Sequence, residues 1–272
     1  MTCYLCGNDK SVLIQKGVRA DSSISVLKCT ECGLIFIDTY KINYQENEMM
    51  EIDPFDTMDL EDTERRFSNY KWLLHNARLL DYGCGRGSFL KKIKDSGIAR
   101  IPIVALEPNK LLREDLSKNF SLYLNVDSLP NVYFNYITMF HVVEHLVDPI
   151  TILNELYEKL ENNGKIIIEV PNHDDVFHVL YDCKEYTEFK YVPYHKFYFT
   201  YDTLRMLLSK TLFKTEVIRT EQRYDLSNHL HWLAKKKPNG HTLWSYLNSE
   251  EYKLQLELLG IGDTLTAVVK KC

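Results

Sequence analysis

The 272-residue sequence contains no run approaching the roughly 20 apolar residues that a membrane-spanning helix needs. Its first residues, Met1-Thr2-Cys3-Tyr4, lack a charged stretch followed by an apolar one, so export is not expected and a cytoplasmic location is. An excess of basic charge is absent too. Against 33 Lys and Arg stand 38 Asp and Glu, a net charge of −5, and from Glu46 to Glu64 nine acidic residues occur without a basic one. Such a field repels a phosphate backbone, so no nucleic-acid partner is expected. The single basic run, Lys235-Lys236-Lys237, reads as a solvated loop. A disulfide framework is not expected either, because seven cysteines, an odd number, occur without an export signal. Thiols in such a chain serve as ligands or stay reduced.

Four of those cysteines are grouped. Cys3-Tyr4-Leu5-Cys6-Gly7 is followed, after 22 intervening residues, by Cys29-Thr30-Glu31-Cys32-Gly33. Two residues between thiols, with a glycine after the second, let a tight turn aim both sulfurs at one tetrahedral ion. Two such knuckles close a shell of four thiolates, which predicts a structural zinc ion on Cys3, Cys6, Cys29 and Cys32 and a small zinc ribbon over residues 1–40. A segment this short needs such a staple to fold. Its four basic and four acidic residues form no basic stripe, so it reads as a scaffold or lid. A polar, acidic connector over residues 41–57, containing Pro54, leads into a main domain over 58–272.

That domain alternates two periodicities. Leu60, Phe67, Tyr70, Leu73 and Leu74 recur at helical spacing. Apolar strands are expected at Arg78 to Tyr82, Ile101 to Leu106, Leu122 to Val126, Tyr133 to Phe140 and Lys165 to Val170, with helices between them. Asp148-Pro149 supplies an N-cap and a first-turn proline for the helix carrying Leu153, Leu156 and Leu160. The expected architecture is α/β, a Rossmann-like seven-stranded, mostly parallel sheet with helices on both faces, completed by antiparallel strands at Thr215 to Thr220 and Thr264 to Val269. Ligands then collect at the carboxyl ends of the strands.

The first strand runs into Asp81-Tyr82-Gly83-Cys84-Gly85-Arg86-Gly87, where three alternate glycines let the backbone turn sharply and approach a ligand closely. A nicotinamide turn would place its third glycine at position 88, which is Ser88. Glu107, 20 residues beyond Gly87, stands where a carboxylate accepts both hydroxyls of an unphosphorylated ribose. Together with Val142-Val143-Glu144-His145-Leu146-Val147-Asp148-Pro149, these segments resemble the class I S-adenosylmethionine-dependent methyltransferases over roughly residues 60 to 220. The resemblance implies that Asp81, Gly83, Gly85 and Gly87 hold the methionine end of S-adenosylmethionine. Glu107 would hold its ribose, Asn125 and Val126 would meet the adenine, and Phe140 would line the reaction chamber. The product would be S-adenosylhomocysteine.

Methyl transfer from a sulfonium asks for alignment of acceptor, methyl and sulfur, and for removal of a proton when the acceptor is a hydroxyl. Neutral histidine suits that second task. His141, His145, His173 and His195 follow the fourth and fifth strands. Tyr194-His195-Lys196-Phe197-Tyr198-Phe199-Thr200 is similar to the His-x-x-Tyr-Phe-Ser/Thr segment of sugar methyltransferases that begin with a zinc-binding cysteine module. That similarity implies His195 as the base with His145 nearby, and Tyr194 and Tyr198 on the acceptor. An insertion at about 221–262 contains Arg223, Tyr224, Asn228 and His229, a mixture of aromatic and hydrogen-bonding groups suited to a sugar or to packing on the domain. The expected activity is methylation of a small saccharide, a nucleotide-linked sugar or a substituted sugar in surface polysaccharide synthesis, on oxygen first. Carbon, amino nitrogen and a phosphoryl oxygen are alternatives. Protein or RNA modification, with the ribbon as reader, is the reading of another class.

Overall fold

The computed structural model describes residues 1–39, 57–238, 244, 246–247 and 249–272. Three strands come first, β1 (Ser11–Val18), β2 (Asp21–Cys29) and β3 (Ile35–Ile37). Helix α1 (Thr57–Leu74) precedes an alternation of β4 (Leu79–Tyr82), α2 (Ser88–Ser96), β5 (Val104–Leu106), α3 (Arg113–Asn119), β6 (Ser121–Tyr123), β7 (Phe134–Phe140), α4 (Pro149–Lys159) and β8 (Leu160–Pro171). The rest comprises α5 (Val176–Val179), α6 (Lys184–Lys190), β9 (Phe197–Tyr198), α7 (Tyr201–Ser209), β10 (Lys214–Glu221), α8 (Leu226–Lys235), α9 (Glu250–Leu258) and β11 (Thr264–Lys270). Residues 40–56, and with them nearly all of the expected connector, lie outside the described residues.

Seven strands form one sheet in the order β10-β11-β8-β7-β4-β5-β6. The five from β8 to β6 run parallel, and β11 and β10 add antiparallel at one edge. Ile166, Ile167 and Ile168 are successive residues of β8 and all fully buried, which requires cover on both faces of the sheet. This is the Rossmann-like α/β architecture that the alternating pattern predicts. The chain leaves β4 toward β5 and β6 on one side and later fills β7 and β8 on the other, so a crevice opens at the carboxyl end of β4.

Three strand boundaries differ from expectation by more than one residue, each for a local reason. β5 starts at Val104 and not Ile101, since Pro102 has no N–H to give a ladder. β6 ends at Tyr123 and not Val126, because the Asn125 side chain accepts from the N–H of Ser128 (3.0 Å) and bends the chain into a turn. β8 begins at Leu160, which the spacing places on the preceding helix, and not at Lys165. Its register passes from Leu160 opposite Phe134 to Lys165 opposite Tyr136, so residues 161–164 loop out as a bulge with Asn163 at φ +65°.

The second sheet, β1-β2-β3-β9, joins distant parts of the chain. Its fourth strand pairs Tyr198 with Ile35 and Phe197 with Phe36, so the cysteine-bearing residues complete their sheet with the segment that directly follows His195. Cys3, Leu5, Cys29, Leu34 and Phe36 also share one buried cluster with Leu80, Ile137 and Ile168 of the large sheet. The N-terminal module is therefore packed into the main core.

Candidate active site

Gly83, Gly85 and Gly87 have φ of +70°, +54° and +76°, left-handed values that only glycine adopts without strain. At Gly83 a Cβ would also lie 2.6 Å from a methyl group of Val142, whereas at Gly85 it would meet nothing within 4 Å. The turn is thus tight on its inner side and bare on its outer one. Glu107, at the end of β5, accepts from the N–H of Gly85 (2.8 Å) with one oxygen and from the N–H of Asn109 (2.9 Å) with the other. Burial pushes its carboxyl above the usual range. Asp81 accepts from the Thr138 hydroxyl at 2.7 Å, and burial pushes its carboxyl up to about 7.

Gly83, Gly85 and Glu107 border a cavity of about 350 Å³, within the range of small-molecule sites, whereas Asp81, Gly87 and His195 are not part of its lining. Gly83, Gly85 and Glu107 form one side; His141, Val142 and His145 form another. Of the residues expected around a cofactor, Asn125 spends its carbonyl oxygen on Ser128, and neither it nor the buried Val126 borders the cavity. Phe140, expected in the chamber wall, lies elsewhere. Its ring packs edge-on against Phe89 (5.1 Å) and carries the Arg66 guanidinium at 4.5 Å, because the alternation of β7 turns it toward α1 and α2. The next residue, His141, reaches the cavity by adopting a left-handed backbone, φ +55°, unusual for a histidine.

His141 opens a group of ionisable side chains. Its Nδ1 lies 3.4 Å from Glu144 Oε1, and the same oxygen lies 3.9 Å from His145 Nε2. The His145 and His195 rings meet edge to face with centroids 4.7 Å apart. His145 Nδ1 is 3.0 Å from the carbonyl oxygen of Tyr194. A carbonyl only accepts, which assigns the proton to Nδ1 and leaves the Nε2 lone pair facing Glu144. Burial pushes His145 down to about 4, and burial, with the positive charges of Arg19 and Lys190, holds His195 well below its usual value. Both imidazoles are therefore neutral at neutral pH. Glu144 is 1% exposed, neither of its carboxylate oxygens has a hydrogen-bond partner, and burial pushes it up to about 8.

The histidine segments are held from the N-terminal module. The Tyr4 hydroxyl, between Cys3 and Cys6, donates to Asp148 at 2.5 Å and accepts from the N–H of Ile150 at 3.0 Å, which anchors the turn after His145. Its ring packs on Phe197. Arg19 donates to the Tyr194 hydroxyl (3.2 Å), and the N–H of Ile37 donates to the carbonyl of Lys196 (3.2 Å).

The remaining expected acceptor residues separate. Tyr194 is half-buried and stacks on His145. Tyr198 is buried instead of presented, its hydroxyl accepting from the N–H of Val192 and donating to its carbonyl, which clips the 192–198 loop shut. Arg223 is committed to a two-point ion pair with Asp62. His229 is buried between Tyr252 and Gln222, and Asn228 is buried in the first turn of α8. Tyr224 stays half-buried beside Arg223. A network that spacing and periodicity do not reveal underlies them: Arg65 and Arg66 of α1 pair with the fully buried Glu169 of β8, and Arg65 also with Glu221. Burial alone would raise Glu169, but the two guanidinium groups hold it below the usual range. One glutamate within the apolar run Lys165 to Val170 was the available signal.

In the same module, Cys3 Sγ lies 3.5 Å from Cys32 Sγ and Cys6 Sγ 3.5 Å from Cys29 Sγ, and all four sulfurs lie within 4.8 Å of one another. Disulfides would need about 2 Å. Four sulfurs around an ion with bonds near 2.3 Å stand roughly 3.8 Å apart, so the set fits a four-thiolate metal shell.

A family model described as a methyltransferase domain matches residues 57–261. Among solved structures, an S-adenosylmethionine-dependent methyltransferase of Archaeoglobus fulgidus is 25% identical with a TM-score of 0.54, the match covering 78% of this chain and 93% of that one. One from Thermotoga maritima shares the fold at 18% identity and TM-score 0.51, over 79% and 91% of the two chains. A curated relative, an uncharacterised protein of Methanocaldococcus jannaschii, is 32% identical over 114 residues, 41% of this chain and 47% of that protein. The match thus spans about half the length of that relative. No helix among the described residues is long and apolar enough to cross a membrane.

Proposed function

The chain belongs to the methyltransferase-domain family, whose members resembling it here use S-adenosylmethionine, and from that premise we propose that it methylates a hydroxyl oxygen of a small saccharide or nucleotide-linked sugar. The observation that carries this reading is the cavity with two unlike sides, a glycine turn with Glu107 on one and neutral imidazoles on the other.

In this reading Glu107 accepts from the ribose hydroxyls and the bare face of Gly85 admits the methionine end. The sulfonium supplies an activated methyl group with a good leaving group. The protein's task is then to hold an acceptor oxygen in line and take its proton. The oxygen lone pair forms the new bond to carbon while the carbon–sulfur pair remains on sulfur, giving S-adenosylhomocysteine. The hydroxyl proton passes to His195, with His145 packed against it. Tyr194 and Tyr224, half-buried aromatic groups with hydroxyls, suit a sugar ring. The four thiols are assigned a structural zinc ion, as a closed sulfur shell has no position for chemistry. A screen of labelled methyl transfer over nucleotide sugars and phosphorylated saccharides tests this; an O-methyl product supports it. Label appearing only on protein, on RNA or on an amine refutes it.

Asp81 gives a pH prediction. Its carboxyl titrates near 7 in the fold against an ordinary value near 3.8. Its contribution to stability is therefore fully present below the ordinary range and lost as pH rises through about 7. The ionised form is the one that attracts the cationic cofactor. Affinity for S-adenosylmethionine should thus rise about tenfold from roughly pH 6 to roughly pH 8, and Asp81→Asn should flatten that rise, both read by titration calorimetry. A wild-type affinity independent of pH contradicts the assignment.

A further inference from the structure

We propose that Glu144, His145 and His195 bind a divalent first-row transition cation of the Zn²⁺ or Mn²⁺ type at the acceptor end of the cavity. Each of the three offers one ligand atom, and these atoms lie within 4.8 Å of one another. Around an ion with bonds near 2.1 Å such atoms stand roughly 3.4 Å apart, so shifts of about 1 Å close the set.

Three observations converge on an ion. The Glu144 carboxylate is 1% exposed with both oxygens unpartnered, and a buried carboxylate without donors is costly unless a cation or a donor completes it. The guanidinium groups whose field reaches it, of Arg66 and Arg223, are already paired with Glu169 and Asp62. His145 resembles a metal ligand in its outer contact, since its Nδ1–H is held by the Tyr194 carbonyl while its Nε2 lies 3.9 Å from the Glu144 oxygen. His141, in its left-handed backbone, brings a third imidazole to the same carboxylate at 3.4 Å, and its buried Nε2 has no partner.

Two imidazoles and one carboxylate suit a borderline cation and leave coordination positions open, unlike the four-thiolate shell. His141 and His145 border the cavity that also contains Gly85 and Glu107, so oxygens entering those open positions would lie beside the cofactor site. Neighbouring hydroxyls of a sugar are such a ligand, and this part of the inference rests on the methyl-transfer reading above. With an ion bound, His195 would serve as a ligand in place of the proton acceptor it is without one, and the ion would make a coordinated hydroxyl acidic enough to lose its proton to solvent water.

The test is titration of the full chain, its thiol site loaded with zinc, with Mn²⁺ alone. Loss of the free-ion electron paramagnetic resonance signal reads binding, and pulsed resonance reads nitrogen couplings of the bound ion. One Mn²⁺ per chain with imidazole couplings is expected. Glu144→Gln and His145→Gln should weaken binding by at least about tenfold with S-adenosylmethionine affinity kept. No bound Mn²⁺ in the wild-type chain, bound Mn²⁺ without nitrogen couplings, or unchanged binding in Glu144→Gln would overturn the proposal. Wild-type couplings decide the matter even when a variant fails to fold. The readout needs neither acceptor nor methyl transfer, so failure here leaves the methyl-transfer reading standing, and the reverse holds for the saccharide screen.

Discussion

Replacing His195 by alanine is expected to cut turnover by about 100-fold or more while leaving S-adenosylmethionine affinity within about twofold. The asymmetry follows from position. The cofactor side of the cavity is built by Gly83, Gly85 and Glu107 just after β4 and β5, whereas His195 sits between Tyr194 and β9, in contact with His145. Its ring packs on those of His145, Tyr194 and Tyr198, so the deletion should act on the acceptor side of the cavity. Steady-state kinetics beside calorimetry separates the two quantities. Undiminished turnover would remove His195 from the chemistry, and a collapse of cofactor affinity would make it a structural residue.

A loss of comparable size, roughly 100-fold in turnover, is expected when the thiol shell is broken by Cys29→Ser, although Cys29 does not border the cavity. Cys29 closes β2, β2 pairs with β3, and β3 pairs with β9, which begins two residues after His195. Tyr4, between Cys3 and Cys6, meanwhile anchors Asp148 and Ile150 just beyond His145. Both histidine segments thus rest on the same knuckles. Misplacing a reacting group by about 1 Å is enough for a loss of that size. Glu107, Gly83 and Gly85 bond instead to one another, to Leu106 and to Asn109, so cofactor binding should survive. Turnover retained in Cys29→Ser would show that the N-terminal module does not position the histidines.

The large sheet is legible in the sequence because its strands are short apolar runs punctuated by Gly83–Gly87, Glu107-Pro108 and Asp148-Pro149, each of which forces a turn or starts a helix. The four-cysteine spacing and the glycine turn are legible for the same reason, since their chemistry is local. The pairing of β3 with β9 is not. Two aromatic residues pair with a strand far away along the chain, which leaves no periodic trace. Arg223 and His229 illustrate a second limit. Polar groups in an insertion suit a sugar as well as they suit neighbours, and here Asp62, Tyr252 and Gln222 take them. His141 was visible as a residue after β7, but its route into the cavity depends on a left-handed backbone that composition does not foretell.

The central claim is that Gly83 to Gly87 and Glu107 form a site for S-adenosylmethionine, and calorimetric titration with that cofactor and with NAD tests it most directly. Saturable binding of S-adenosylmethionine, none of NAD, and at least about tenfold weaker cofactor binding in Glu107→Ala are predicted. Binding of NAD in place of S-adenosylmethionine, or binding indifferent to Glu107→Ala, would contradict it.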